Sequence, residues 1–529
     1  MGAVVTGEPD LISLLHRADW TRLCLSAEVN DGSTLLIAPG KRYRRQNGER
    51  VTGCDGDRRW ELPGDDGEDG DADGRHGTAH LIGGPEPPLR ALLCPAWLLM
   101  SSRLEVRAQV NACGRDALHV VVTRRPSIHG RIGPLELGAD RVDAIVDAEL
   151  GILLRIARMA GRDAPDVTEL TSLEVNPDVD PAQFAPPPGS LTSESLGEML
   201  GAGGPLWRAG KTAAGLAAGG LGAWIRYSPF GHGQPRAGGA EDAVAIPNDD
   251  PAPELSPAGV PSGPPVSAKV LRLLHDSGSG EWAATLEHWL DVGGMLSQLP
   301  AGARRAGFGG LGLLADAMGE RPSASRLVSA VRLGGPDKYQ VDHAYEPTRG
   351  PKTVACDGQR RWQVYADQVT VGPAAPIDST IADLANASWL LECRLSGGAA
   401  IMAGGRPAYR IDVARGDRPP SLALMSSAAV AVVDAELGIL LRLMSYLGDK
   451  PVQRFELRDI TTEAGAFRVD IPAGLPTVGE TGSFEAAREA GLPPPPVNFP
   501  LHIAGTVARQ VATEATKAAR NFLRRMNAR

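Results

Sequence analysis

Cysteine is scarce in this chain, with six in 529 residues at positions 24, 54, 94, 113, 356 and 393. None forms a CxxC pair or a Cys/His ligand spacing, which excludes a zinc site and leaves no metal expected. Long apolar runs are missing too, since nothing approaches the roughly 18 consecutive apolar residues of a spanning helix. The N-terminal run Met1-Gly-Ala-Val-Val-Thr-Gly-Glu-Pro-Asp10 has neither the basic nor the apolar segment of a secretory signal, so the expected location is cytoplasmic. There is no basic excess. A net charge of −9 excludes a general nucleic-acid binder. Catalytic signatures are equally absent: there is no GxSxG elbow and no HExxH helix. Two fragments imitate known loops and fail. Gly210-Lys211-Thr212 has Pro205 where a phosphate loop needs glycine, and Asp69-Gly-Asp-Ala-Asp-Gly74 has His80 where a calcium loop needs glutamate. No cofactor is expected, and the chain reads as a non-enzyme.

What the sequence does have is a message written twice. Cys54-Asp-Gly-Asp-Arg-Arg-Trp60 returns as Cys356-Asp-Gly-Gln-Arg-Arg-Trp362, and Val146-Asp-Ala-Glu-Leu-Gly-Ile-Leu-Leu-Arg155 returns unchanged at 433–442. Motif order is kept, which marks a domain duplication. The histidines occupy no matching positions in the copies, so a duplicated histidine-based site is excluded. At 43% apolar and 22% charged residues the composition is that of a soluble globular protein, long enough for two domains with appendages. The expected organisation is a first domain over 1–230, a flexible Pro/Gly-rich linker over 231–266, and a second domain over 267–529.

Within each copy the pattern is that of antiparallel strands. Asn30-Asp-Gly32 separates two alternating runs as a hairpin turn, and Asp55-Gly56 turns the chain into Arg58-Arg-Trp-Glu-Leu62. Leu118, Val120 and Val122 alternate with His119, Val121 and Thr123, as Tyr409, Ile411 and Val413 alternate with Arg410, Asp412 and Ala414. A sheet with one apolar face follows. The repeated decapeptide reads as strand, tight turn, strand. Helical segments are expected at 191–227, at 267–320 ahead of the second sheet, and at 500–529, which makes the fold class α+β. In the last of these, Ile503, Val507, Val511, Phe522 and Met526 form one stripe against Arg509, Lys517, Arg520, Arg524 and Arg525. Such a helix can dock on its own domain or lie on an anionic membrane surface.

Several duplicated residues have two readings. Asp55 and Asp357 precede glycine in hairpins, where aspartate bonds its own backbone. Arg155 and Arg442 are each placed to pair with a duplicated glutamate, Glu169 and Glu456. Trp60, Trp97, Trp362 and Trp389, with Leu118, Val120, Val122, Tyr409, Ile411 and Val413, are candidates for the wall of a ligand cavity or for an ordinary core. Cys54 with Cys94, and Cys356 with Cys393, offer one disulfide per domain, although buried thiols are the ordinary state of a chain without an export signal.

Leu36-Ile-Ala-Pro-Gly-Lys-Arg-Tyr-Arg44, the Asp-Gly hairpins that follow Cys54 and Cys356, and the Asp-Ala-Glu-Leu-Gly-Ile-Leu-Leu-Arg pattern together resemble the bacterial LolA-like lipoprotein carriers and the related RseB sensors. The resemblance covers most of 20–185 and 325–472. It implies two tandem half-open β-barrels, strongly curved antiparallel sheets covered by helices, whose apolar faces hold acyl chains, lipid or other apolar ligands. It implies two functions to weigh: a carrier or sensor of apolar ligand, and a regulatory scaffold with filled barrels whose partner is another protein.

Overall fold

The computed structural model describes residues 8–62, 87–125, 141–192, 249–291, 325–344, 351–414, 428–462 and 467–479, apart from 57, 101, 161–163, 189, 256–260, 279, 336, 367, 376, 378 and 473 within them. The described residues up to 192 form one compact unit apart from those of 249–479, which form a second. The sequence expectations over 193–248 and 480–529, the C-terminal helix among them, lie outside the described residues, as does the acidic loop at 69–74.

The first unit opens on a helix, Glu8–Arg17, whose Leu11, Ile12, Leu14 and Leu15 are buried. Its strands are β1 (Leu25–Val29), β2 (Thr34–Ala38), β3 (Arg42–Asn47), β4 (Arg50–Asp55), β5 (Arg59–Leu62), β6 (Ser102–Ala112), β7 (Arg115–Arg124), β8 (Arg141–Asp147), β9 (Leu153–Met159), β10 (Asp166–Val175) and the short β11 (Leu191–Thr192). They pair antiparallel in the order β11-β5-β4-β3-β2-β1-β10-β9-β8-β7-β6, a sheet that is not closed. Between β5 and β6 stand a helix, Pro87–Leu93, and a 3-10 turn, Pro95–Leu99.

The second unit repeats this order. A helix at Ala268–His275 is followed by β12 (Trp282–Leu290), β13 (Ser325–Leu333), β14 (Lys338–His343), β15 (Thr353–Asp357), β16 (Arg360–Val364), β17 (Val369–Pro373), β18 (Arg394–Ala403), β19 (Arg406–Ala414), β20 (Ala428–Asp434), β21 (Leu440–Leu447), β22 (Lys450–Thr461) and β23 (Thr477–Gly479). The sheet order is β18-β19-β20-β21-β22-β12-β13-β14-β15-β16-β17-β23, antiparallel except for the parallel pair β17–β23. A helix at Ser379–Ala385 and a 3-10 turn at Ala387–Glu392 take the places of their counterparts in the first unit. Even the irregularities are duplicated. The register shifts at Val106/Ala108 and Gly397/Ala399, and again at Ile145/Val146 and Val432/Val433.

Three sequence expectations change. Of the helical stretch expected at 267–320, Ala268–His275 is helix and Trp282–Leu290 is strand β12, which pairs along its whole length with β13, while 292–320 lies outside the described residues. The segment expected as flexible linker ends in residues that lie against the second sheet, as Pro265 bridges Ser396, and Asp249 and Asp250 pair with the sheet residue Arg442. Leu191–Thr192, expected to begin a helix, is strand β11. All six cysteines are thiols, and neither of the disulfides that the sequence offered is formed. Among the described residues no helix is long and apolar enough to cross a membrane.

Candidate functional site

Side chains alternate across a pleated strand, so strand register fixes which residues share a face. Pairing aligns Leu118 with Val146, Val120 with Ala144 and Val122 with Val142, and carries Ala144 on to Ile156. In the second unit Tyr409 aligns with Val433, Ile411 with Ala431 and Val413 with Ala429, and Ala431 with Leu443. This is one apolar face, built twice. Helical elements touch it: Arg158, on this face of β9, holds its guanidinium 5.9 Å from the Trp97 ring centre, and Lys269 of the second unit's first helix stands 5.7 Å from that of Tyr409. Leu118, Val120, Val122, Ile411 and Val413 are buried, Val120 and Ile411 to 0% exposure, while Tyr409 is half-buried. Trp97 and Trp389 are buried as well. Each donates its indole N–H to a carbonyl six residues upstream, Ala91 at 3.0 Å and Asp383 at 2.9 Å, tying the 3-10 turn to the helix before it.

Trp60 and Trp362 do not belong to this face, which corrects their placement as cavity wall. Trp60 aligns with Gly53, Arg44 and Leu36, whereas Leu25, Ile37, Tyr43 and Cys54 point the other way. Those four share the face of Val120, because the register shift between β1 and β10 sets Val29 opposite Leu170, two residues from Thr168, which faces Ile156. On the outer face the chain beyond β10 crosses back over Trp60. Phe184 accepts the indole N–H at 2.9 Å, Gln183 accepts a bond from Arg44, and Trp60 is left 0% exposed. Trp362 aligns in the same way with Ala355 and Gln340, and Gln340 exchanges two hydrogen bonds with Asp470 of the equivalent crossing segment. Neither crossing segment has a periodicity that could have announced it.

The repeated decapeptide is a clamp for the first helix of its unit. Asp147 accepts the amides of Glu149 and Leu150 at 2.9 and 2.8 Å, and Asp434 those of Glu436 and Leu437 at the same distances. Arg115 and Arg406 each grip that aspartate and reach the turn glutamate at 3.0 Å. These arginines escaped the sequence reading, although each follows a glycine and precedes an X-Ala pair at the start of its strand. Burial pushes the Asp434 carboxyl up, but Arg406 and the two turn amides outweigh it and hold it below the ordinary range. Gly151 and Gly438 have φ of +75° and +69°, and a Cβ on them would meet the carbonyl oxygens of Leu14 at 2.4 Å and Leu273 at 3.0 Å. The turn therefore needs glycine twice over, for its backbone and for the helix seated on it.

Of the remaining duplicated residues, Asp55 accepts the amide of Arg58, and Asp357 those of Gln359 and Arg360, within their hairpin turns. Arg155 stands 3.6 Å from Glu169. The second pair is a correction: Arg442 turns instead to Asp249 and Asp250, at 3.1 and 2.8 Å, while Glu456 pairs with Arg454 and Arg458. The cause is the segment at 249–252, which covers the outer face of β20 and β21, with Ala252 against Val430, Met444 and Tyr446.

One difference between the copies lies on the helix-side face itself. Arg158 and Asp166, register partners in the first unit, form an ion pair at 3.1 Å whose side chains are 25% and 71% exposed. Their register equivalents are Ser445 and Gln453. β12 runs on past the point where β1 ends and lays His288 over this corner, stacked on Phe455 at 4.2 Å with its Nε2 3.2 Å from Gln453 Nε2. Burial alone pushes the His288 pKa down to about 3. Ser445 is 1% exposed, and its hydroxyl has no hydrogen-bond partner. Among the described residues no group of three or more acidic, histidine or cysteine side chains is placed to hold a metal ion.

No protein-family model and no curated protein matches the sequence. Solved structures do. The Pseudomonas aeruginosa MucA/MucB complex is matched at 15% identity over 35% of this chain and 62% of that one, with a TM-score of 0.21. LprF from Mycobacterium bovis is matched at 11% identity over 39% of this chain and 99% of that one, with a TM-score of 0.23. A LolA superfamily protein from Nitrosomonas europaea is matched at 9% identity over 37% and 88%, with a TM-score of 0.16. The chain spans under two thirds of the length of the matched MucB chain.

Proposed function

We propose that this chain is a non-enzymatic protein with two half-open, helix-covered β-sheet domains, each able to hold lipid, an acyl chain or another apolar ligand between the helix-side face of its sheet and the helical elements that touch it. The observation that carries the reading is the duplicated apolar face through Val120 and Ile411, on which no titratable side chain recurs at equivalent places in β7–β9 and β19–β21. Burying hydrocarbon there gains about 25 cal/mol per Å² removed from water. Of the duplicated reactive groups near it, Asp147 and Asp434 are held by Arg115 and Arg406 in their turns, and Cys54 and Cys356 are buried among apolar side chains. The proposed location is cytoplasmic and peripheral to a membrane, with the C-terminal stripe of Ile503, Val507, Phe522 and Met526 as the contact. Organic extraction of the purified full chain, with mass spectrometry of the extract, is the test, and retained lipid is the expected result.

A second reading has an observation of its own. Val120, Val122 and Ile411 are at 0% exposure, which fits a barrel filled by its own side chains and a function as a protein-binding scaffold. A clean extract together with a stoichiometric co-purifying protein favours this scaffold. Nucleic acid is not a partner under either reading.

A further inference from the structure

We propose that the second unit recognises an uncharged hydrogen-bonding group on an otherwise apolar ligand, a hydroxyl, ester or amide, at the corner formed by Ser445, Gln453 and His288. The proposal rests on the apolar-ligand reading above and names the ligand class that one of the two copies would select.

Three observations carry it. A serine hydroxyl at 1% exposure without a partner is an orphan, and buried polar groups in folded proteins are nearly always satisfied by protein, water or ligand. It lies on the face of Leu443 and Phe455, register-linked to Ile411 through Ala431, so a ligand on that apolar face would pass it. The first unit places the Arg158–Asp166 ion pair at the equivalent position, open to solvent, where the second has a neutral pair beneath the prolongation of β12.

Charge decides the ligand class. None of the five side chains named here offers a carboxylate or phosphate a counter-ion, since Ser445, Gln453, Phe455 and Leu443 are neutral and burial holds His288 neutral. A hydroxyl or carbonyl would instead complete the bonding of Ser445 without that cost. A site built to hydrogen-bond one group discriminates strongly against ligands that lack it.

The test uses the full chain, titrated in native mass spectrometry with 1-monooleoylglycerol, sodium oleate and hexadecane, beside Ser445→Ala. The expected result is that Ser445→Ala weakens monooleoylglycerol binding roughly tenfold and leaves hexadecane unchanged, as loss of one buried hydrogen bond would. In the unaltered protein, monooleoylglycerol should also outcompete oleate at the site that the substitution affects. Near-UV circular dichroism shows that the variant is folded. Equal weakening of all three ligands, or no weakening of any, overturns the proposal while leaving the apolar-ligand reading intact. Ser445→Ala that raises thermal stability without touching affinity identifies the corner as a water site only and also overturns it. Failure of all three ligands to bind the unaltered chain sinks both.

Discussion

Glycine at 53 is what allows Trp60 to lie flat under its crossing segment. A Cβ there would stand 2.4 Å from the indole, closer than packed atoms tolerate. The second unit has Ala355 at the equivalent position, and its Trp362 is only half-buried. Gly53→Ala is therefore expected to displace Trp60 and to lower the stability of the first unit by about 1–3 kcal/mol, the cost of overpacking. Trp60→Ala should cost about 3–5 kcal/mol. Trp362→Ala should cost less than Trp60→Ala, because less of it is out of water. Urea titration followed by tryptophan fluorescence and circular dichroism reads all three. His288 gives a pH signature. The folded protein keeps it neutral down to about 3, whereas an unfolded histidine protonates near 6.5. The unfolded chain therefore binds the extra proton between those values, and stability falls as pH drops through that window, by up to about 1.4 kcal/mol per pH unit. In His288→Leu that part of the acid sensitivity of the second unit should disappear, and a melt series between pH 7 and 4 would show whether it does.

At the scale of elements, the identity of the decapeptide has a mechanical cause. Strand, turn and helix meet at one glycine, one aspartate and one arginine in each copy. Replacing Gly151 or Gly438 by alanine should destabilise the corresponding unit by more than the roughly 1 kcal/mol of φ strain alone, because the added carbon also meets a helix carbonyl. Hydrogen exchange of the amides in Glu8–Arg17 or Ala268–His275 is the direct readout, and selective loss of protection in the adjoining helix is expected. The sequence showed the hairpins, the decapeptide turn and the alternating apolar face, because each is written in local periodicity and turn chemistry. It hid what depends on pairing at long range. The register shift between Glu28 and Val29 decides which face Trp60 occupies, and no residue in β1 announces it. The segments at 180–184 and 249–252 look like loop and linker by composition, yet they cover sheet faces through a few specific bonds, those of Phe184 to Trp60 and of Asp250 to Arg442. β12 carries enough alanine and leucine to pass for helix until its pairing on both sides is seen.

For the whole molecule, duplication means that each copy has its own core and its own apolar face. Among the described residues, the second differs by the additional strand β17, by the longer β12 and by the acidic segment bound to its outer face. Chain folding should follow the two units, so that Trp60→Ala lowers one thermal transition and leaves the other in place. The most direct measurement of the central claim is the number of apolar ligands that one chain takes up, read by native mass spectrometry against a single-chain lipid panel. Up to two bound molecules per chain are expected, with one lost in Val120→Gln and one in Ile411→Gln. A chain that takes up none, or that loses the same adduct in both variants, would contradict a ligand site in each domain.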